Sequence, residues 1–197
     1  LTKTFIFDRK IKLEIKEITK NKFFENDDFL LEALPLEHGV PTLGFSFVEK
    51  DKRKIDLKKV KELGIPQGPL LGELQEGKSI VFCSKKIKAS DATYLEKGKK
   101  ITFIMDTLPC DNCYKLAKNS DLLICEATYS SKLENKGEEY YHMTAKQAAQ
   151  IANKANVKQL ILTHFSARYK NTQEVEEDAR NIFDNIICAK DFMKIEL

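Results

Sequence analysis

An α/β fold is the class this sequence predicts, and three features predict it. From residue 79 onward, apolar runs of strand length alternate with helical segments, which is the order of βα units. The segment TAKQAAQIANKANV (144–157) places Ala148, Ile151, Ala152 and Ala155 on one helix face, with Thr144 positioned to cap it. Three apolar runs also end in residues capable of chemistry: FIMD in Asp106, LICEAT at Glu126 and LILTH in His164.

In chain order, IKLEIKEI (11–18) alternates as a strand does, DDFLLEALPL (27–36) reads as a second strand ending at Pro35, and TLGFSFVE (42–49) as a third. The composition then turns basic and helix-prone over 50–63, and GIPQGPLLG (64–72) punctuates it with a rigid turn. Low apolar content and high charge mark 50–78 as an inserted arm. Strands are expected at 79–83, 100–106, 121–128, 158–164 and 191–197, and helices at 110–119, 144–157 and 171–183. Internal repeats and low-complexity stretches are absent.

The chain has 197 residues, enough for one domain with its own core, and 42% hydrophobic against 32% charged residues is an ordinary globular balance. No apolar run approaches the roughly 20 residues of a membrane span, and the start shows no secretory signal. The first residue is Leu, so an upstream part is expected to be missing. Net charge is only +3, yet lysines cluster in 49–64 and 84–90. Such clusters suit a polyanion such as RNA, and equally a solvated lysine-rich surface. Five cysteines, an odd number without a secretory signal, argue for free thiols in a reducing compartment. Cys110 and Cys113 form a CxxC with no second pair, read as coincidence or as a metal or redox site.

In α/β folds, sites assemble beyond the carboxyl ends of strands, where the loops converge. Asp106, Glu126 and His164 stand at such ends, and His38 closes the apolar run ALPLEH. With only three histidines in the chain, coincidence across His38, Asp106 and His164 is hard to defend. Imidazole and carboxylate are the ligands a cation such as Zn²⁺ takes. Taken singly, His164 reads as a structural histidine and Asp106 as a turn or cap residue.

The stretches PLEHGVPTLGF (35–45), GIPQGPLLGEL (64–74), FIMDTLPCDN (103–112), CEATYSSKLENKGEEYYHMTAKQAAQIA (125–152) and LILTHFSARY (160–169) together resemble ribonuclease Z, the tRNA 3′-processing endonuclease family of the metallo-β-lactamase superfamily. The resemblance covers nearly the whole chain. It implies that the α/β fold is part of a metallo-β-lactamase αβ/βα sandwich with a protruding basic arm, and that residues 1–197 form one incomplete domain. It implies metal ligation by His38, Asp106 and His164, with Asp106 bridging two metals. It implies proton transfer by His142, oriented by Glu126. The arm, 50–78, would grip tRNA through Lys50, Lys52, Arg53, Lys54, Lys58, Lys59, Gly68 and Pro69. The implied cofactor is Zn²⁺, two per complete site, with Mn²⁺ or Mg²⁺ as alternatives. The implied partners are precursor tRNA and a second copy of the chain, in the cytoplasm.

One departure is large. The family's HxHxDH loop is absent here and is expected upstream, in cis or in trans. Without it each metal keeps two protein ligands, below the three or four of catalytic zinc sites. A catalytically incomplete fragment that binds tRNA or pairs with another subunit is therefore the competing reading, and a small-molecule phosphodiesterase a third. Apolar surface left uncovered by missing strands is expected as well.

Overall fold

The computed structural model describes residues 15, 17–18 and 21–197. The strand expected over 11–18 lies largely outside the described residues; Ile15, Glu17 and Ile18 carry no secondary structure. Strands β1 (Lys22–Glu25), β2 (Phe29–His38) and β3 (Val40–Glu49) form an antiparallel meander. β2 does not stop at Pro35 but continues to His38, and Pro35 pairs with Leu43. The proline is tolerated because β1 pairs only with Leu30–Glu32, so among the described residues no strand pairs with Pro35 on that side. Gly39, with φ +61, turns the chain between His38 and Val40, which face each other in register.

The insertion has different limits and more structure than the sequence suggests. It comprises β4 (Lys52–Ile55), helices α1 (Leu57–Glu62) and α2 (Pro69–Gln75), a hairpin of β5 (Ile80–Phe82) and β6 (Lys85–Ile87), α3 (Ala89–Ala92) and β7 (Thr93–Glu96). β7 returns antiparallel to β4, so the segment leaves and re-enters at one place. Val60, Ile65, Leu74, Ile80, Ile87, Ala89 and Ala92 form its own small core. The strand expected at 79–83 is β5, one arm of a local hairpin. Part of the GIPQGPLLG stretch is not turn but helix, begun by Pro69 at a position where its missing amide costs nothing.

The chain then supplies β8 (Lys100–Ile104), α4 (Asp111–Ala117), β9 (Leu122–Glu126), a 3₁₀ turn at Ser131–Leu133, α5 (Glu134–Tyr140), α6 (Ala145–Lys154), β10 (Gln159–Thr163), α7 (Gln173–Arg180) and β11 (Ile186–Cys188). The main sheet has the order β1-β2-β3-β8-β9-β10-β11, with β8 to β11 parallel. Its last strand is β11, not the expected 191–197, where Phe192 is fully exposed. Ile186 and Cys188 are buried against the helices, whereas 191–197 pairs with no strand among the described residues.

Helices α4, α6 and α7 pack on one face of the sheet. Ala145, Ala148, Ala149, Ile151 and Ala152 of α6 are all completely buried there, and small residues let the helix approach the strands closely. Thr144 caps α6 in a reciprocal capping box with Gln147. On the other face Phe45 pairs directly with Phe103, and both are about 40% exposed (39% and 41%). The expected uncovered apolar surface is therefore present, and Leu43 extends it. No helix among the described residues is long and apolar enough to cross a membrane.

Candidate metal and proton-transfer site

β8, β9 and β10 are parallel neighbours, so Asp106, Glu126 and His164 emerge side by side at one sheet edge. β2 runs the same way, two antiparallel steps from β8, and delivers His38 to that edge. The end of β2 is tied down by the Leu108 N–H donating to the Glu37 carbonyl, 2.8 Å, and the Glu37 N–H donating to the Thr107 hydroxyl, 3.0 Å. Helix α5 closes with Tyr141 in the left-handed region, φ 59, and the His142 N–H bonds back to the Gly137 carbonyl at 2.8 Å. That Schellman-type stop drops His142 into the cleft. Asp106 (φ 50) and His164 (φ 57) are left-handed too. Three non-glycine residues held in this sparsely populated region at one place mark a functional constraint.

The side chains converge. The His38 and His142 rings lie 4.8 Å apart and the His142 and His164 rings 5.2 Å. Asp106 Oδ1 stands 3.3 Å from His164 Nε2 and 4.0 Å from His142 Nδ1. His38 Nδ1 donates to the Tyr141 carbonyl, 2.8 Å, which leaves its Nε2 lone pair free. The Thr128 hydroxyl lies 2.7 Å from Glu126 Oε2 and 3.0 Å from His164 Nδ1. With its single proton given to the carboxylate, it accepts from Nδ1–H of His164 and frees that Nε2 as well. A bare imidazole nitrogen then faces a carboxylate oxygen across 3.3 Å. Two acceptors at that distance attract only with a cation or proton between them.

Glu126 is completely buried. Its carboxylate accepts from the Thr107 and Met143 amides, the Thr128 hydroxyl and His142 Nδ1, the last at 3.0 Å. Burial nevertheless pushes its pKa up to about 7, the hydrogen bonds opposing. Burial and the neighbouring His38 push His142 down, with Asp106 opposing.

By distance, two groups could hold a metal ion: His38, Asp106 and His142; and Glu126, His142 and His164. His142 and Glu126, which the resemblance leaves outside the ligand set, thus lie within reach of one. The four donors on Glu126 occupy its lone pairs and make it the poorer ligand. Thr128 and the Tyr141 carbonyl were not singled out by sequence; Thr128 sits in the quoted EAT, but only the folded chain brings its hydroxyl to His164.

Most of the basic residues singled out in the arm are paired. Lys50 reaches Glu25 (2.9 Å), Lys52 Asp28 (3.1 Å), Lys54 Glu96 (3.6 Å) and Lys59 Asp56 (3.9 Å), while Arg53 donates to the Thr93 hydroxyl. Lys58 is exposed on α1, and Gly68 and Pro69 are exposed at the start of α2.

A family model described as a beta-lactamase superfamily domain matches residues 91–165, a span that includes Asp106, Glu126, His142 and His164. A metallo-β-lactamase fold protein of Bacillus subtilis superposes with a TM-score of 0.54 over 85% of this chain and 49% of its own, at 16% identity, a likeness of fold. The chain has the fold of the metallo-β-lactamase superfamily. Ribonucleases Z are among the proteins it resembles in sequence. That of Protochlamydia amoebophila is 40% identical over 189 residues, 95% of this chain and 61% of the relative. That of Archaeoglobus fulgidus is 38% identical over 94% of this chain and 62% of the relative. The structure of human tRNase Z, short form, matches with a TM-score of 0.54 and 26% identity, over 89% of this chain and 46% of that one. The chain spans about three-fifths of the length of the curated relatives it matches.

Proposed function

We propose that this chain supplies the C-terminal part of a zinc-dependent endoribonuclease that removes the 3′ trailer from precursor tRNA. The observation that carries the reading is the meeting of His38, Asp106, His142 and His164 at one sheet edge in a chain homologous to ribonuclease Z.

His38 and His164 fit zinc, since each has Nδ1 held by a protein oxygen and Nε2 free, and Asp106, its Oδ1 3.3 Å from His164 Nε2, would join them in holding it. When bound, the metal supplies Lewis-acid stabilisation of phosphate charge and activates water. His38, Asp106 and His164 would be this chain's ligands, and an HxHxDH-bearing segment, in cis or in trans, would supply the rest. Glu126 holds the Nδ1 proton of His142 and presents Nε2 to the substrate. Protonated at Nε2, His142 is the general acid for the departing ribose 3′ oxygen. Its pKa is pushed down in the free protein, and an incoming phosphate raises it again by placing negative charge beside the ring. The insertion binds tRNA away from the cut, chiefly by shape, with Lys58 and the exposed start of α2 as contacts. A second copy of the chain completes the assembly.

The exposed Leu43, Phe45 and Phe103 favour a second reading, in which the chain is a fragment that acts by pairing with another polypeptide. One experiment separates the two. The chain is joined to, or mixed with, the HxHxDH-bearing segment of a relative, loaded with zinc and given a 3′-extended tRNA. Cleavage at the trailer that is lost with Asp106→Ala supports the enzyme; a complex that forms, binds zinc and does not cleave supports the pairing fragment.

A further inference from the structure

The CDNC stretch takes no part in the site described above. Cys110 Sγ and Cys113 Sγ lie 3.5 Å apart, and both are free thiols. Cys113 is fully buried, while Cys110 is partly exposed. Cys110 is the extended residue before α4 (φ −139, ψ 166), and its carbonyl accepts the Cys113 N–H at 3.0 Å. The two residues are thus held one helical turn apart with their sulfurs facing. A disulfide bond measures about 2.05 Å, so closure needs an approach of roughly 1.5 Å, within a side-chain rotation.

We propose that Cys110 and Cys113 form a reversible dithiol–disulfide site at the junction between α4 and the loop that presents Asp106. That loop is short, and its backbone is pinned by Thr107 on Glu126 and Leu108 on Glu37. The Cys113 thiol itself points at the Leu108 carbonyl, 3.9 Å away. Bond formation between the sulfurs withdraws that thiol from a loop residue two positions past Asp106.

The oxidant is a small-molecule disulfide of the glutathione class. The Cys110 thiolate attacks one of its sulfurs, the S–S bond breaks, and one small thiolate leaves and takes up a proton. Cys113 then gives up its proton and attacks the Cys110 sulfur, which releases the second small thiol. Two protein thiols are oxidised and one disulfide is reduced to two thiols. Burial pushes the Cys113 thiol up to about 12, so Cys110 is the attacking residue.

The test uses the full chain in glutathione buffers of increasing oxidised-to-reduced ratio, quenched in acid, unfolded, alkylated and digested with trypsin. The peptide from residues 101–115 holds both thiols and no other cysteine. The expected result is the loss of two hydrogens and of both alkylation sites from that peptide, reversed by dithiothreitol, while Cys125 and Cys188 stay alkylatable. Cys110→Ser, at the partly exposed position, abolishes closure even if Cys113→Ser does not fold. Exposed Cys83 is the internal control for reagent strength. Two outcomes overturn the proposal: both sites remain alkylatable where Cys83 is fully glutathionylated, or Cys110 accumulates as the glutathione adduct without closing.

Discussion

Glu126 Oε2 lies 3.0 Å from His142 Nδ1, and the carboxylate that makes this contact has no exposed surface at all. A buried acid with a pKa raised from 4.5 to about 7 binds a proton in the folded state that it has already lost in the unfolded chain. Stability therefore falls as pH rises from about 4.5 to about 7, and is level above that. The full shift corresponds to a loss of about 3 kcal/mol, an upper figure. His142, pushed down, gains stability with rising pH below its ordinary value and offsets part of the fall. Urea melts of the metal-free chain across this range check the sum. Glu126→Gln should flatten the Glu126 component, and an unchanged profile would show that the carboxyl does not titrate there.

His142→Ala in the reconstituted enzyme should lower kcat by about 10²–10⁴ while KM for precursor tRNA moves little. Single-turnover cleavage alongside a binding titration separates the two effects. A mutant with an intact rate removes His142 from proton transfer.

Thr128→Val leaves both Glu126 and His164 Nδ1 without their shared hydroxyl. The expected cost is about 1–3 kcal/mol in a denaturant melt. Zinc affinity of the reconstituted site should fall roughly 10- to 100-fold, as for lost support behind a metal-ligating histidine.

Gly39 combines φ +61 with a close approach: an added Cβ would meet the Tyr141 ring at 3.3 Å. Gly39→Ala should destabilise by about 1–2 kcal/mol through the left-handed backbone alone. It should also loosen the His38–Tyr141 contact, seen as a shift of the His38 ring resonances.

Removal of residues 64–72, which also takes Ile65 out of the insertion's small core, should cripple precursor-tRNA cleavage and spare hydrolysis of a small phosphodiester. Lys58→Ala should reduce the salt slope of tRNA binding by about one. Equal loss on both substrates would place the insertion in the fold rather than in recognition.

Periodicity located β8, β9, β10 and α6 because each buries one face in a single core, and burial is what an apolar repeat records. At 79–83 it located the strand β5 but not the sheet that strand joins. Ile80 is buried, but in the insertion's own core, and an apolar run does not say which core it enters. The short β11 was passed over in favour of 191–197, since three residues carry no detectable period.

Residue types and strand ends determined that His38, Asp106, Glu126 and His164 were the groups to watch, because polar residues at the end of an apolar run are local facts of the chain. Only folding decided that the Thr128 hydroxyl, the Tyr141 carbonyl and the Thr107 amide would fix the orientations of those groups. Such contacts join positions as far as 103 residues apart, and a hydrogen bond between distant positions leaves no periodic trace in sequence.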